Sequence, residues 1–236
     1  MKVALTMSYN GASFLGSQIQ KESTNTIFGQ LDIVLKKLGI NSKVVASGRT
    51  DKGVHATAQV AHLTLPPFWN DLEKLKTTLN KMLPPTIHIK KVVVVAEDFH
   101  ARYSAKRRVY RYIIKTKESN PFEDPFVTFK EDLTFESVQQ NIKLFIGKHD
   151  FTHFMKTGSD TKSSVRTIYK AFAYRYKDAI ILYFEADGFL RTQIRLMVGA
   201  LFDMNKEQIQ EQLSCVKKHK LKPAKGNGLY LAKIKY

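Results

Sequence analysis

At 236 residues, with 43% hydrophobic and 11% aromatic side chains, the chain has enough apolar material for a real core, in one large domain or two smaller ones. Twelve Gly and seven Pro are too few for a collagenous or Pro/Gly-rich disordered chain, and a lone Cys215 excludes an internal disulfide and a cysteine-rich structural zinc site. Lys and Arg number 38 against 21 Asp and Glu, and the resulting +17 points to a polyanionic partner.

Residues 2–9 alternate like a strand. Residues 24–38 place Ile27, Phe28, Leu31, Val34, Leu35 and Leu38 on one helical face, and Gly39 supplies the stop. Short strands are expected over 43–46 and 58–65. Asn70 with Glu73 forms a capping-box pattern before a helix that buries Leu72, Leu75, Leu79, Met82 and Leu83 and ends at Pro84-Pro85. A strand over 87–96 completes the first half. The second half opens with a strand over 109–116. A helix over 134–146 follows, with Phe135, Val138, Ile142, Phe145 and Ile146 on one face. Then come a hairpin of 165–176 and 179–186 around Lys177-Asp178, helices over 191–202 and 206–216, and a strand over 229–236.

Both halves read β-α-β-β-α-β, the split order of ferredoxin-like and RNA-recognition-motif domains. The expected fold class is therefore α+β, two such halves with mainly antiparallel sheets flanking a basic cleft. The boundary is set at residue 105, giving domains 1–105 and 106–236, with net charges of +6 and +11. The clusters Lys106-Arg107-Arg108 and Lys217-Lys218, the latter followed by Lys220, Lys222 and Lys225, either contact phosphates or form a solvated face. Residues 1–11 lack a signal-peptide pattern, and no stretch reaches the ~18–20 apolar residues that span a bilayer, so a soluble cytoplasmic protein is expected.

The most informative stretch is 45–60, a polar loop between two apolar strands in which Gly48 and Gly53 flank Arg49-Thr50-Asp51. Glycine permits tight turns and close backbone approach. On residue types alone, Asp51 is either a turn former or a carboxylate held beside an arginine at the edge of a groove.

Gly48-Arg49-Thr50-Asp51-x-Gly53-Val54-His55-Ala56 resembles the signature of the tRNA pseudouridine synthase A family, and the resemblance covers essentially the whole chain. It extends to Tyr9-Asn10-Gly11 with Phe14-x-Gly16-x-Gln18-x-Gln20, and to Ala101-Arg102-Tyr103-Ser104-Ala105 leading into Arg108-Val109-Tyr110-Arg111-Tyr112. Gly147-x-His149-Asp150-Phe151-Thr152, Phe189-Leu190, Ile194-Arg195-x-Met197-Val198-Gly199 and Gly228-Leu229-Tyr230-Leu231 match the later motifs. Two departures stand out: Lys52 replaces the Ala of many members, and Arg191-Thr192-Gln193-Ile194 replaces a His- or Met-rich run.

The resemblance implies an isomerase that converts uridine to pseudouridine in the tRNA anticodon stem-loop, at positions 38, 39 and 40. It implies a cytoplasmic homodimer with no cofactor, no metal and no membrane association. Asp51 maps to the family's catalytic residue. Cleavage of a glycosidic bond builds positive charge on the ribose, which a carboxylate can stabilise, trap as an ester, or relieve by taking a sugar proton. Arg195 is implied as the cation that keeps the carboxylate ionised and aimed. A flipped-out base needs an aromatic face. Tyr110 is the matched residue, for binding and for catalysis at C5, while Tyr112 two residues on is an alternative and one of the two belongs to the core. Arg49 fills the space left by the flipped nucleotide or holds its phosphate. Phe189 either packs under the base or is a core residue, and Gln18 and Gln20 are assigned to substrate binding.

His149, Asp150 and His153 lack further ligands at informative spacing and are not read as a metal site. Residues 157–164 lack the glycine pattern of a phosphate loop and are either an RNA-contacting loop or an inert one. Cys215 is expected to be small, buried and apolar in role. A non-catalytic RNA-binding protein and a metal-dependent nuclease are the rival classes; the first leaves the Asp51 loop unexplained, and the second predicts sensitivity to a chelator.

Overall fold

The computed structural model describes residues 1–158 and 161–236. The loop expected at 157–164 contains Ser159 and Asp160, which lie outside the described residues. The chain is α+β and mainly antiparallel, and it divides into two compact units, Met1–Lys106 with Tyr230–Tyr236, and Arg107–Leu229.

In the first unit, β1 (Lys2–Tyr9) is central and pairs antiparallel with both β3 (His55–Thr64) and β4 (Ile87–Val94). Val3, Leu5, Met7 and Tyr9 alternate onto one face and are almost fully buried, the period-two pattern of a strand with a covered side. The two-residue β2 (Val45–Ala46) pairs with β3, so the sheet runs β4-β1-β3-β2. The helix α1 (Ile27–Lys37) starts at the first residue of its apolar row, three residues after the expected 24, because the buried Thr26 is its N-cap and accepts from the Gly29 amide at 3.1 Å. Gly39, at φ +71°, makes the left-handed turn that ends it.

The helix α2 (Leu72–Met82) is capped by Asp71, which accepts from the Lys74 amide at 2.9 Å, and not by Asn70. Its buried stripe is Leu75, Leu79 and Leu83, the i, i+4, i+8 row. Leu72 is half-buried and Met82 is exposed, contrary to expectation. The last strand, β10 (Leu229–Lys235), lies almost wholly in the first unit and not with the half that precedes it. Tyr230 pairs in parallel with His55, Lys106 donates its amide to Lys235, and the Tyr236 hydroxyl donates to the Ala101 carbonyl at 2.9 Å.

The second unit is built on β5 (Arg107–Lys115), with the two-residue β6 (Thr128–Phe129) parallel to its end. The expected single helix over 134–146 is split: α3 (Phe135–Asn141) tightens into a 3₁₀ turn at Ile142–Phe145, and Ile146 is exposed. Gly147, at φ +115°, then turns the chain into β7 (Gly147–Asp150), a short edge strand absent from the sequence expectation. β7 pairs with β8 (Val165–Tyr176), and β8 pairs with β9 (Ala179–Ala186), which pairs with β5. The β8–β9 hairpin has the expected bounds, turning at Lys177 with φ 53°.

The helix α4 (Gln193–Asp203) begins two residues later than expected because Thr192 is left-handed at φ 64°. The helix α5 (Lys206–Leu213) is closed by an Asn205/Gln208 capping box and stops short of Val216. Cys215 follows it in the left-handed region and is exposed, not buried. Among the described residues no helix is long and apolar enough to cross a membrane.

Because Thr26 is fully buried and caps the helix that anchors the amino-terminal arm, Thr26→Ala should cost about 1–2 kcal/mol. Urea denaturation compared with the wild-type chain measures this loss.

Candidate active site

The loop joining β2 to β3 turns on Thr50. This residue is 7% exposed, and its three polar groups are all engaged. Its amide donates to the Ser17 hydroxyl at 2.8 Å, its carbonyl accepts from the Ser17 amide at 3.0 Å, and its hydroxyl meets the Tyr9 hydroxyl at 2.9 Å. Burial pushes the Tyr9 pKa up to about 12, so its phenol stays protonated at neutral pH. The fully buried Gln59 carboxamide holds the preceding turn, donating to the Gly48 carbonyl at 2.9 Å and accepting from the Ser47 hydroxyl at 2.6 Å.

The residues around the buried Thr50 differ in exposure. Arg49 and Lys52 are exposed, and Asp51 is half-buried. The Asp51 carbonyl accepts from the Val54 amide at 3.1 Å, closing a turn through Gly53 at φ +78°. That conformation explains Gly53. Gly48 has open space where a Cβ would stand, so close approach does not require a glycine there. Gly11 does require one: a Cβ there would lie 2.0 Å from the Val54 carbonyl oxygen. The Gly11 amide also donates to His55 Nδ1 at 3.0 Å, and the His55 ring stacks on Tyr230 at 4.6 Å.

Gln18 and Gln20 are exposed on the arm beyond Ser17, and the Gln20 carboxamide donates to the Leu15 carbonyl at 3.0 Å. Sequence reasoning did not single out Ser17, Tyr9 or Gln59 for the loop. A glutamine inside the apolar run of β3 was the one available signal, since a buried carboxamide must find partners.

In the second unit Tyr110 is 8% exposed on β5, and its ring meets the half-buried Phe189 edge to face at 5.4 Å. Tyr112 belongs to the core. Its hydroxyl bonds Thr128 at 2.7 Å and the Lys225 carbonyl at 2.8 Å, and burial pushes its pKa up to about 12. Arg195, half-buried on α4, donates from Nε to the Ala224 carbonyl at 2.7 Å and accepts the Ala224 amide at 2.8 Å on its own carbonyl. Residues 222–228 thus form a strap that fixes Arg195. One turn along the helix a Cβ on Gly199 would lie 2.1 Å from the Lys222 carbonyl oxygen, so this approach depends on glycine.

The basic clusters divide. Arg107 pairs with the buried Glu185 at 3.0 Å and lies 4.3 Å over the Tyr169 ring, and Arg108 donates to the Asp187 carbonyl at 2.7 Å. Both are engaged within the sheet. Lys217, Lys218, Lys220, Lys222 and Lys225 are exposed. His149 bonds the Ile146 carbonyl, while hydrogen bonds from Ser164 and Thr152 hold the Asp150 carboxyl below its usual range. Among the described residues no three His, Cys, Asp or Glu side chains are grouped to hold a metal ion.

A family model described as tRNA pseudouridine synthase matches residues 5–104 and 142–236, spans that include Asp51, Phe189 and Arg195 but not Tyr110. A Wolinella succinogenes protein is 39% identical over 98% of this chain and 92% of its own length. One from Campylobacter jejuni strain RM1221 is 39% identical over the whole of both chains, and one from Helicobacter pylori strain 26695 is 36% identical over 98% of each. All three are called tRNA pseudouridine synthase A. A solved Cbf5-Nop10-Gar1 complex matches at a TM-score of 0.39 and 9% identity, covering 85% of this chain and 45% of that one, a likeness too distant to bear on the argument.

Proposed function

This chain belongs to the tRNA pseudouridine synthase family and is an isomerase that converts uridine to pseudouridine in tRNA, and we propose that its targets lie in the anticodon stem-loop and that Asp51 is its catalytic carboxylate. The single observation that carries the assignment is the fixed Thr50, beside which Asp51 is half-buried in a turn held by hydrogen bonds on both flanks.

The reaction breaks N1–C1′, forms C5–C1′, moves a proton onto N1 and removes the proton from C5, so no electrons or atoms are gained overall. Asp51 supplies negative charge where the ribose becomes positive. Arg195 supplies the compensating cation, and its strap supports that role by fixing the guanidinium before substrate arrives. Tyr110 offers its ring to the displaced uracil and its hydroxyl to the C5 proton, backed by Phe189. Arg49, exposed one residue before Thr50, takes the phosphate or the vacated stack, and Gln18 and Gln20 contact the same strand. The exposed lysines of residues 217–225 supply the salt-dependent attraction to RNA. The β4-β1-β3-β2 order supports a ferredoxin-like first half, and the reading places the enzyme in the cytoplasm with its tRNA, facing a basic cleft and needing no metal.

The chain is further proposed to act as a homodimer. On the second sheet Phe172 stacks with Tyr183 at 4.7 Å, and Tyr169, Phe172 and Tyr176 are all exposed along β8, while Ala171 and Ala173 between them are buried on the helical side. Side-by-side exposed aromatics favour a protein partner, and a second copy is the partner the homodimer reading requires.

With tRNA labelled by tritium at uracil C5, the wild-type chain should release tritium without added metal. Asp51→Ala should reduce release by about 10³-fold or more while retaining tRNA binding. Equal release by both proteins would remove Asp51 from the chemistry. In sedimentation, wild type should run as a dimer and Phe172→Glu as a monomer; a monomeric wild type would end the dimer assignment.

A further inference from the structure

We infer that Ser17 is a positioning residue for Asp51, coupling the carboxylate to the start of α1; the inference rests on the catalytic reading of Asp51. Ser17 is 1% exposed and has two sets of partners. Its hydroxyl accepts the Thr50 amide at 2.8 Å and lies 3.5 Å from the Thr50 carbonyl, to which its own amide donates at 3.0 Å. On the other side, the Ser17 carbonyl accepts the Phe28 amide at 3.0 Å, and the Gly16 carbonyl accepts the Ile27 amide at 3.2 Å. These are first-turn helix amides with no partner inside the helix. A continuous path of hydrogen bonds therefore runs from the rigid end of α1, through Ser17, to the residue preceding Asp51.

The arm presses close as well. Gly16, at φ +111°, brings its Cα so near that a Cβ would stand 3.0 Å from the Thr50 carbonyl oxygen. The residue after Ser17 is the exposed Gln18, so an RNA strand seated on the arm bears on the same path. Removing the Ser17 hydroxyl leaves a buried amide without its acceptor and loosens Thr50, which keeps only the Ser17 amide and the Tyr9 hydroxyl as partners. Only the aim of Asp51 changes, and small misplacements of a reacting group have large effects on rate.

The test is Ser17→Ala, read in two independent ways. In tRNA turnover kcat should fall about 10- to 100-fold, with the tRNA Kd within about twofold and Tm lower by only the few degrees that one unsatisfied buried amide costs. In native-state trypsin digestion, cleavage after Arg49 or Lys52 should accelerate about tenfold, because the loop opens more often. Unchanged cleavage, or a kcat loss matched by an equal loss of tRNA affinity, would overturn the positioning role. A wild-type chain that forms no pseudouridine would instead sink the catalytic reading, and the trypsin result would still decide whether Ser17 fixes the loop.

Discussion

The hydrogen bonds that hold Thr50 are the constraint on which the proposed role of Asp51 depends. An ordinary polar loop samples many conformations, and a carboxylate on it would spend little time at one ribose carbon. Here the amide, carbonyl and hydroxyl of one residue are all taken by Ser17 and Tyr9, and both partners come from regular structure or from its edge. Tyr9 ends the central strand of its sheet, and the Ser17 carbonyl accepts the Phe28 amide in the first turn of α1. The ordering entropy of the loop is thus met during folding, and substrate binding need not supply it.

The second unit follows the same logic by different means. Arg195 sits on a helix, but its guanidinium is aimed by the backbone of residues 222–228, and that strap can lie close because Gly199 has no side chain. Tyr112 ties the strap to β5 through its hydroxyl, and Tyr110, two residues earlier on the same face, packs its ring edge to face with Phe189. Period-two geometry puts both tyrosines on one face of β5, where Tyr112 is structural and Tyr110 is the residue proposed to meet substrate.

Much of the fold was legible from periodicity. The β8–β9 hairpin was read with its bounds because its apolar alternation is long and is interrupted once, at Lys177-Asp178. The four residues of β7, Gly147–Asp150, carry no apolar alternation and became a strand only through pairing with β8. The break in the helix after Asn141 and the transfer of the last strand to the first unit also reflect tertiary pairing, which local pattern does not encode. For the candidate site, ordered motifs point to Asp51, Arg195 and Tyr110, the residues proposed for catalysis. Ser17 was not legible, because its meaning lies in Thr50, 33 residues away, and a single serine has no periodic signature. Cys215 misled for a related reason: its residue type suggests burial, whereas a left-handed position after α5 leaves it exposed.

The central claim is that Thr50 is immobile while Arg49 and Lys52 near it face solvent, and residue-resolved amide hydrogen exchange on the free wild-type protein tests it most directly. Thr50 should exchange as slowly as the paired amides of β3, whereas Arg49 and Lys52 on either side should exchange much faster. Exchange at Thr50 as fast as at Lys52 would contradict the account, since Asp51 would then be attached to a loop that nothing holds.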